Sequence, residues 1–455
     1  MDTTTGKSAG GRLFIMMVLE FFIWGAWLPL IYGYLPSLNF TPAQISLVLN
    51  AFPIAAIVGM FFSNQFADRN FSAERFLAFS HFVGGLAMLG MGCTKSFVPF
   101  VTLMFIHCLL YVPTLSIVNS IAFANLRDPQ KEFGPIRMGG TIGWVLAAWP
   151  FTFIFVDWNK VHAANPHGLK DWLGTVLGSG LAGDALKLAT HWTFVVAGIA
   201  SLVLAAFSLT LPHTPARKKS EGAVEGLAWL EAIKLLKHPF ILVLWIVTFV
   251  DAFVLYCYFN WTGMFLGEAT AKGGVGIPGN WIMPVMSVGQ IAEILTMLIL
   301  GATLKKLGWR ATMIVGILGH AARFAVYAYL PNQPWLIVVV QLLHGVCYAF
   351  FFATVFIFVD AYFPKDARAS AQGLFNMMIL GLGSLTANSV CPWLMQEVFV
   401  KRQLVNGVLV KVAGETNFHS MFMLPCLIAI GASLALALFF RPPAIADSSA
   451  VKTEH

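Results

Sequence analysis

Apolar runs long enough to cross a bilayer follow one another along almost the whole chain, and no other feature constrains the fold as much. A membrane-spanning helix needs roughly 20 apolar residues and ends at charges, Gly/Pro or Asn/Asp clusters. Runs of that kind fall near 13–34, 44–66, 76–94, 98–124, 136–157, 190–212, 239–266, 279–304, 311–330, 335–361, 369–396 and 417–440. Lipid offers the backbone no hydrogen-bond partner, so segments like these must close their own bonds as helices. The expectation is an all-α polytopic membrane protein with twelve transmembrane helices. Composition agrees: 58% of the 455 residues are hydrophobic and 11% are charged, against about 25% charged in a soluble domain. Too little polar sequence remains to coat soluble domains. The formal charge of +7 does not indicate nucleic acid, because the basic residues sit singly or in short groups between apolar runs.

The six cysteines lie in or beside hydrophobic stretches and form no CxxC pair, which predicts reduced packing residues, with no disulfide framework, metal site or cofactor motif. The first apolar run lacks a cleavage site and is expected to be retained as a span. The polar segment 213–238 divides six spans from six. It sets the expected organisation: an N-terminal half 1–212, a cytoplasmic linker 213–238, a C-terminal half 239–440 and a cytoplasmic tail 441–455. With the N-terminus placed inside, the inside segments hold more than twice as many lysines and arginines as the outside ones. Both termini are therefore expected in the cytoplasm. The loop 158–189, long and glycine-rich, precedes the sixth span.

Two loops in equivalent positions support the division. One, NQFADRNFSAER, runs from Asn64 to Arg75, and the other, GATLKKLGWR, from Gly301 to Arg310. Both resemble the G-x-x-x-D-R-x-x-x-R/K loop of the major facilitator superfamily. The first keeps Asp68-Arg69 but has Asn64 in place of the leading glycine; the second keeps Gly301 but has Lys305-Lys306 for Asp-Arg. In that architecture the substrate sits near the midplane between two halves that rock about it.

An ionisable side chain at membrane depth costs about 2.5–3.5 kcal/mol or more, which makes it a candidate for function. Asp251, Arg323, Asp360, His81, His107, His320 and His344 are read as snorkelling or helix-packing groups. Glu293 differs. It lies mid-span with Gln290 one turn before it on the same face, and a carboxylate beside an amide suits a ribose or other sugar diol. Arg137, Thr141 and Trp144 fall at i, i+4 and i+7 of the fifth span. They form one stripe, a cation, a hydroxyl and an indole able to cradle a planar heterocycle. A positive-inside arginine followed by ordinary packing explains the same spacing. Glu20, Trp24 and Trp27 make a third stripe, with Glu20 deep enough to bind a proton. Tyr111, Pro113, Thr114 and Asn119 supply a kink and polar groups in the fourth span. Tyr256 and Asn260 in the seventh, and Tyr348 in the tenth, are further substrate-facing candidates.

The segments LEFFIWGAWL, LLYVPTLSIVNS, GPIRMGGTIGW, MSVGQIAEIL, HAARFAVYAYL, LLHGVCYAFFF and ARASAQGLFNMM together resemble the nucleoside:proton symporter family of the major facilitator superfamily. The likeness runs from the first span to the last. It implies a bacterial inner-membrane carrier that takes up nucleosides with protons. It also implies base and ribose contacts at Arg137, Thr141, Gln290 and Glu293, with Trp144 and Tyr348 in the places of the family's aromatics. The family's seventh-span glutamine and asparagine align with Tyr256 and Phe259. An aspartate that family members use in proton coupling is replaced by Ala349, which moves the proton to Glu20 or Glu293 or leaves transport uncoupled. A nucleoside carrier is thus expected, with an uncoupled facilitator or a sugar permease of the same fold as alternatives. No H-E-x-x-H or G-x-S-x-G motif points to an enzyme. A monomer is expected.

Overall fold

The computed structural model describes residues 4–59, 71–215, 234–363, 368–405 and 408–441. Asp68 and Arg69, most of the 213–238 segment and nearly all of the tail lie outside these residues.

Among the described residues nine helices are long and apolar enough to cross a membrane. One of them, Gly279–Tyr329, is 51 residues long and breaks at Gly308, where φ is 72° and ψ 175°. A side chain would strain that backbone, so glycine makes the turn between the eighth and ninth spans. The second span begins as two shorter pieces, Pro42–Leu49 and Ala51–Val58. The fifth, Pro129–Ala148, carries Lys131, Glu132 and Arg137. The remaining spans are the first (Thr4–Ser37), third (Ala73–Cys93), fourth (Phe97–Asn125) and sixth (Trp192–Ser208). They continue with the seventh (Pro239–Gly267), tenth (Pro334–Tyr362), eleventh (Ala371–Val398) and twelfth (Phe418–Phe439). Among the described residues each of the twelve expected spans is thus represented by helix, the second as far as Val58.

Local chemistry explains particular ends. Thr41 accepts a hydrogen bond from the Gln44 amide while the Gln44 side chain accepts from the Thr41 amide, a reciprocal cap that starts the second span ahead of Pro42. Two stretches differ from expectation. The 158–189 loop holds three short helices, Trp158–Ala164, Gly168–Gly178 and Gly183–Ala189. Between the last two spans, Val400–Val405 and Val408–Thr416 pair as an antiparallel hairpin. In addition, π-helical turns interrupt the tenth and eleventh spans at Tyr348–Ala353, Met377–Gly383 and Leu394–Val398.

Contacts group the chain into two compact units, Met1–Lys219 with Phe259–Gln290, and Ser220–Tyr258 with Ile291–His455. In the first unit glycines let backbones touch. A Cβ on Gly143 would lie 2.1 Å from the Val18 carbonyl oxygen, and one on Gly85 would lie 3.1 Å from that of Gly198. These contacts lock the first span to the fifth and the third to the sixth, the small-residue packing expected in lipid. The piece Phe259–Gln290 is tied to the same unit by hydrogen bonds from Trp281 Nε1 to the Leu177 carbonyl (2.9 Å) and from the Gly279 amide to the Leu181 carbonyl (2.8 Å). In the second unit Gly345 presses on the eighth span, where a Cβ would meet the Glu293 amide nitrogen at 2.3 Å.

Candidate functional site

Arg137 is half-buried, and its guanidinium carbon lies 4.3 Å from the centroid of the Phe21 ring. Seven residues on, Trp144 sets its edge against Trp24 at 5.2 Å between centroids, and Trp24 in turn stacks on Phe52 at 4.8 Å. Thr141, half-buried, lies between them on the fifth span. The first, second and fifth spans thus bring one cation, one hydroxyl and a run of aromatic faces together. Gly139, Gly140 and Gly143 are what permit it: each would drive a Cβ into Phe14, Phe21 or Val18 of the first span.

Gln290 is 7% exposed, and its side-chain oxygen has no hydrogen-bond partner. An orphaned acceptor at membrane depth carries a free-energy penalty that a ligand's hydroxyl would relieve. Glu293, one turn further on, is half-buried. By contacts Gln290 belongs to the first unit and Glu293 to the second. Within the second unit Tyr256 lies beside Ser384 and Tyr348, and Tyr348 opens the π-helical turn of the tenth span. Asn260 is buried in the first unit, one turn after Tyr256.

Glu20 proves to be the centre of a closed network, fully buried between the first, third and fourth spans. Its Oε2 lies 2.8 Å from His81 Nε2, and its Oε1 accepts from the Thr114 hydroxyl at 2.7 Å. The Tyr111 hydroxyl donates to the Glu20 carbonyl at 2.8 Å. Ser201 gives its hydrogen to the His81 carbonyl at 2.9 Å, so at its 3.1 Å contact with His81 Nδ1 it accepts. His81 Nδ1 therefore carries a hydrogen. One proton must then lie between Nε2 and the carboxyl, either on an imidazolium facing a carboxylate or on a carboxylic acid facing a neutral ring. Both arrangements are neutral overall. Without that proton, a lone pair would face a carboxylate at 2.8 Å.

The first-span stripe divides between neighbours. Trp24 faces the fifth span, whereas Glu20 and Trp27 face the third and fourth, with Trp27 edge-on to His107 at 6.1 Å. Spacing along one helix gave the shared face of Arg137, Thr141 and Trp144. It gave no sign that His81 and Ser201 partner Glu20, because these residues are distant in sequence. The usable signal was the polarity of His81 in the middle of an otherwise apolar run. Among the described residues no group of His, Cys, Asp and Glu could hold a metal ion.

Comparison with known proteins places these features in context. The family model described as "Nucleoside H+ symporter" matches residues 8–168 and 179–444. YegT of Escherichia coli (strain K12), which carries a nucleoside transporter's name, is 30% identical over 434 residues, covering 94% of this chain and 93% of its own. The xanthosine permease of the same organism is 27% identical over 385 residues, with 82% and 84% covered. Among solved structures, that of the nucleoside transporter NupG superposes with a TM-score of 0.75 at 24% identity, covering 96% of this chain and 100% of the other. A D-xylose-proton symporter, at 15% identity and TM-score 0.64, shares the fold over 95% of this chain. The architecture is that of the major facilitator superfamily, and the chain is a multi-pass inner-membrane protein of the transporter type.

Proposed function

The chain belongs to the nucleoside H+ symporter family, and on that premise we propose that it takes up nucleosides across the inner membrane by alternating access, driven by protons. The observation that carries the reading is the stripe of Arg137, Thr141 and Trp144 against Phe21 and Trp24. A guanidinium held over an aromatic ring hydrogen-bonds a heterocycle's carbonyl while the indole stacks on the base. Gln290 and Glu293 would take the ribose hydroxyls, the carboxylate accepting and the amide both accepting and donating. Tyr256, Asn260 and Tyr348 would border the base. Both termini are assigned to the cytoplasm by the lysine and arginine bias of the loops.

The proton would ride on the Glu20–His81 pair, with Glu293 as the second candidate. Loss of the shared proton to water leaves a carboxylate against an imidazole lone pair, and repulsion pushes the first and third spans apart. Reprotonation restores the contact. This couples a proton to helix separation without any other chemistry. Ala349 favours a second reading, an uncoupled facilitator.

Uptake of labelled nucleosides into proteoliposomes tests both. Acidifying the outside should raise uptake, and free sugars should not compete. Glu293→Gln should abolish nucleoside binding in a folded protein. Unchanged affinity in that variant removes ribose recognition, uptake indifferent to pH leaves a facilitator, and competition by sugars identifies a sugar permease.

A further inference from the structure

The polar groups at membrane depth occur twice, in positions six spans apart. Glu20 on the first span corresponds to Asp251 on the seventh, His81 on the third to His320 on the ninth, and His107 on the fourth to His344 on the tenth. The agreement extends to neighbours. Trp27 and Tyr258 each follow the acid by seven residues, and each rings the fourth-type histidine, at 6.1 Å (Trp27–His107) and 5.0 Å (Tyr258–His344). His107 Nδ1 meets the Gly84 carbonyl at 3.2 Å, three residues after His81; His344 Nδ1 meets Arg323 Nη1 at 3.1 Å, three residues after His320. Where the first copy has a glycine, the second has a buried cation.

That cation dictates the protonation of everything around it. Arg323 Nη2 also contacts His320 Nδ1 at 2.9 Å, and a guanidinium only donates. Both histidines therefore accept through Nδ1, are neutral, and carry their hydrogens on Nε2. His320 Nε2 lies 3.7 Å from Asp251 Oδ2, beyond hydrogen-bond length. Asp251 is wholly buried, and neither of its oxygens has a hydrogen-bond partner. Its ionisable surroundings are His320 and Arg323 on the ninth span, His344 and Cys347 on the tenth, and Tyr258 on its own helix. The eleventh span meets the neighbouring Ala252 with Gly383, which has no side chain to ionise. The one base in the cluster with a vacant position is the Asp251 carboxylate.

We propose that Asp251 is a second proton-binding carboxylate of the carrier, the counterpart of Glu20, with His320, Arg323 and His344 as its positioning residues. The step is a simple transfer. Hydronium gives its proton to one Asp251 oxygen, an O–H bond forms, water leaves, and the cluster passes from neutral (carboxylate and guanidinium) to a net charge of one from Arg323. This deepens the proton-driven reading above and rests on it for its role in transport.

Infrared difference spectra of the full-length protein in lipid vesicles, taken across a pH titration, test the site without any substrate. A carbonyl stretch of a protonated carboxylic acid should grow on acidification, disappear in Asp251→Asn, and remain in Glu20→Gln. Asp251→Glu should restore a titrating band at a shifted frequency, which a structural role would not. In proteoliposomes, Asp251→Asn should keep nucleoside counterflow, which checks folding. It should accumulate about tenfold less nucleoside per unit of imposed pH difference, because one coupled proton is worth that factor. A titrating band unchanged in Asp251→Asn overturns the proposal whatever transport does. A lost band with unchanged accumulation overturns its coupling role. If the native protein moves no nucleoside while the Asp251 band still titrates, the proton site stands and the transport reading falls.

Discussion

Gly143→Ala adds one methyl group to the fifth span and should disable the stripe proposed to bind the base. The added Cβ would stand 2.1 Å from the Val18 carbonyl oxygen and 2.8 Å from the carbonyl carbon, backbone atoms that cannot rotate away. Ordinary contact begins at 3.4 Å, so the two helices must separate by about 1.3 Å at that point, beyond what packed interiors absorb. Overpacking of this kind costs about 1–3 kcal/mol, and a rigid backbone clash belongs at the upper end. Separation also withdraws Arg137 and Trp144 from Phe21 and Trp24, and misplacement near 1 Å weakens a positioned interaction by about 10- to 100-fold. Gly431→Ala, in the middle of the twelfth span and followed by Ala432, is the control. Nothing lies within 4 Å of its Cβ position, and alanine favours helix over glycine by about 1 kcal/mol. In thermal unfolding in detergent the two variants should therefore shift in opposite directions, Gly143→Ala down and the control up, and only Gly143→Ala should lose nucleoside binding. If the two alanine variants are equally stable and bind equally, the close approach of the first and fifth spans does not hold the stripe.

Further expectations concern individual contacts. Glu20→Gln should preserve folding, since the amide can donate to His81 Nε2 and accept from Thr114, while pH-driven accumulation falls and counterflow persists. His81→Leu strands the Glu20 carboxylate and should lower stability by about 3–5 kcal/mol, read by thermal unfolding. Arg137→Lys should weaken nucleoside affinity at least about tenfold, because an ammonium cannot lie flat over Phe21 and present planar donors. Gly345→Ala should disturb ribose recognition before it unfolds the protein, because its Cβ would strike the backbone at Ala292 and Glu293; separate measurements of affinity for nucleosides and for free bases would show this.

The spans were legible because bilayer thickness fixes their length and water's absence fixes their form. Even the turn in Gly301–Arg310 was marked by its charges and by Gly308. The hairpin Val400–Thr416 escaped a search for apolar runs, since its alternation has period two; the Asn406-Gly407 dipeptide between alternating apolar residues was the available signal. The helices within 158–189 were hidden by their glycines. For the candidate site, periodicity identified which residues share a helix face but not which helix that face meets. Thus Arg137, Thr141 and Trp144 could be aligned from sequence, whereas Glu20 could not be assigned to His81, nor Trp24 to Phe52. The buried histidines were read as packing because each was weighed alone. Their meaning lies in their pairing, which needs tertiary geometry.

The repetition of acid and histidine bears on why such groups are kept at all. Each intramembrane charge costs about 2.5–3.5 kcal/mol or more, and apolar replacements of buried ion pairs are often neutral or stabilising by about 1–4 kcal/mol. A helix-packing role alone would be served at least as well by leucine and phenylalanine, which this chain uses freely elsewhere. Yet Glu20, His81 and His107 have counterparts in Asp251, His320 and His344, with an aromatic ring seven residues after each acid, Trp27 or Tyr258, against the second histidine, and that histidine's Nδ1 against the residue three after the first, Gly84 or Arg323. The copies also solve the charge problem differently. Glu20 is balanced by a proton shared with His81, so it can lose that proton only by breaking the contact. Asp251 is balanced at a distance by Arg323, which leaves its oxygens open to gain one. One half of the carrier therefore holds a proton that release would turn into repulsion, and the other holds a vacancy that binding would turn into net charge.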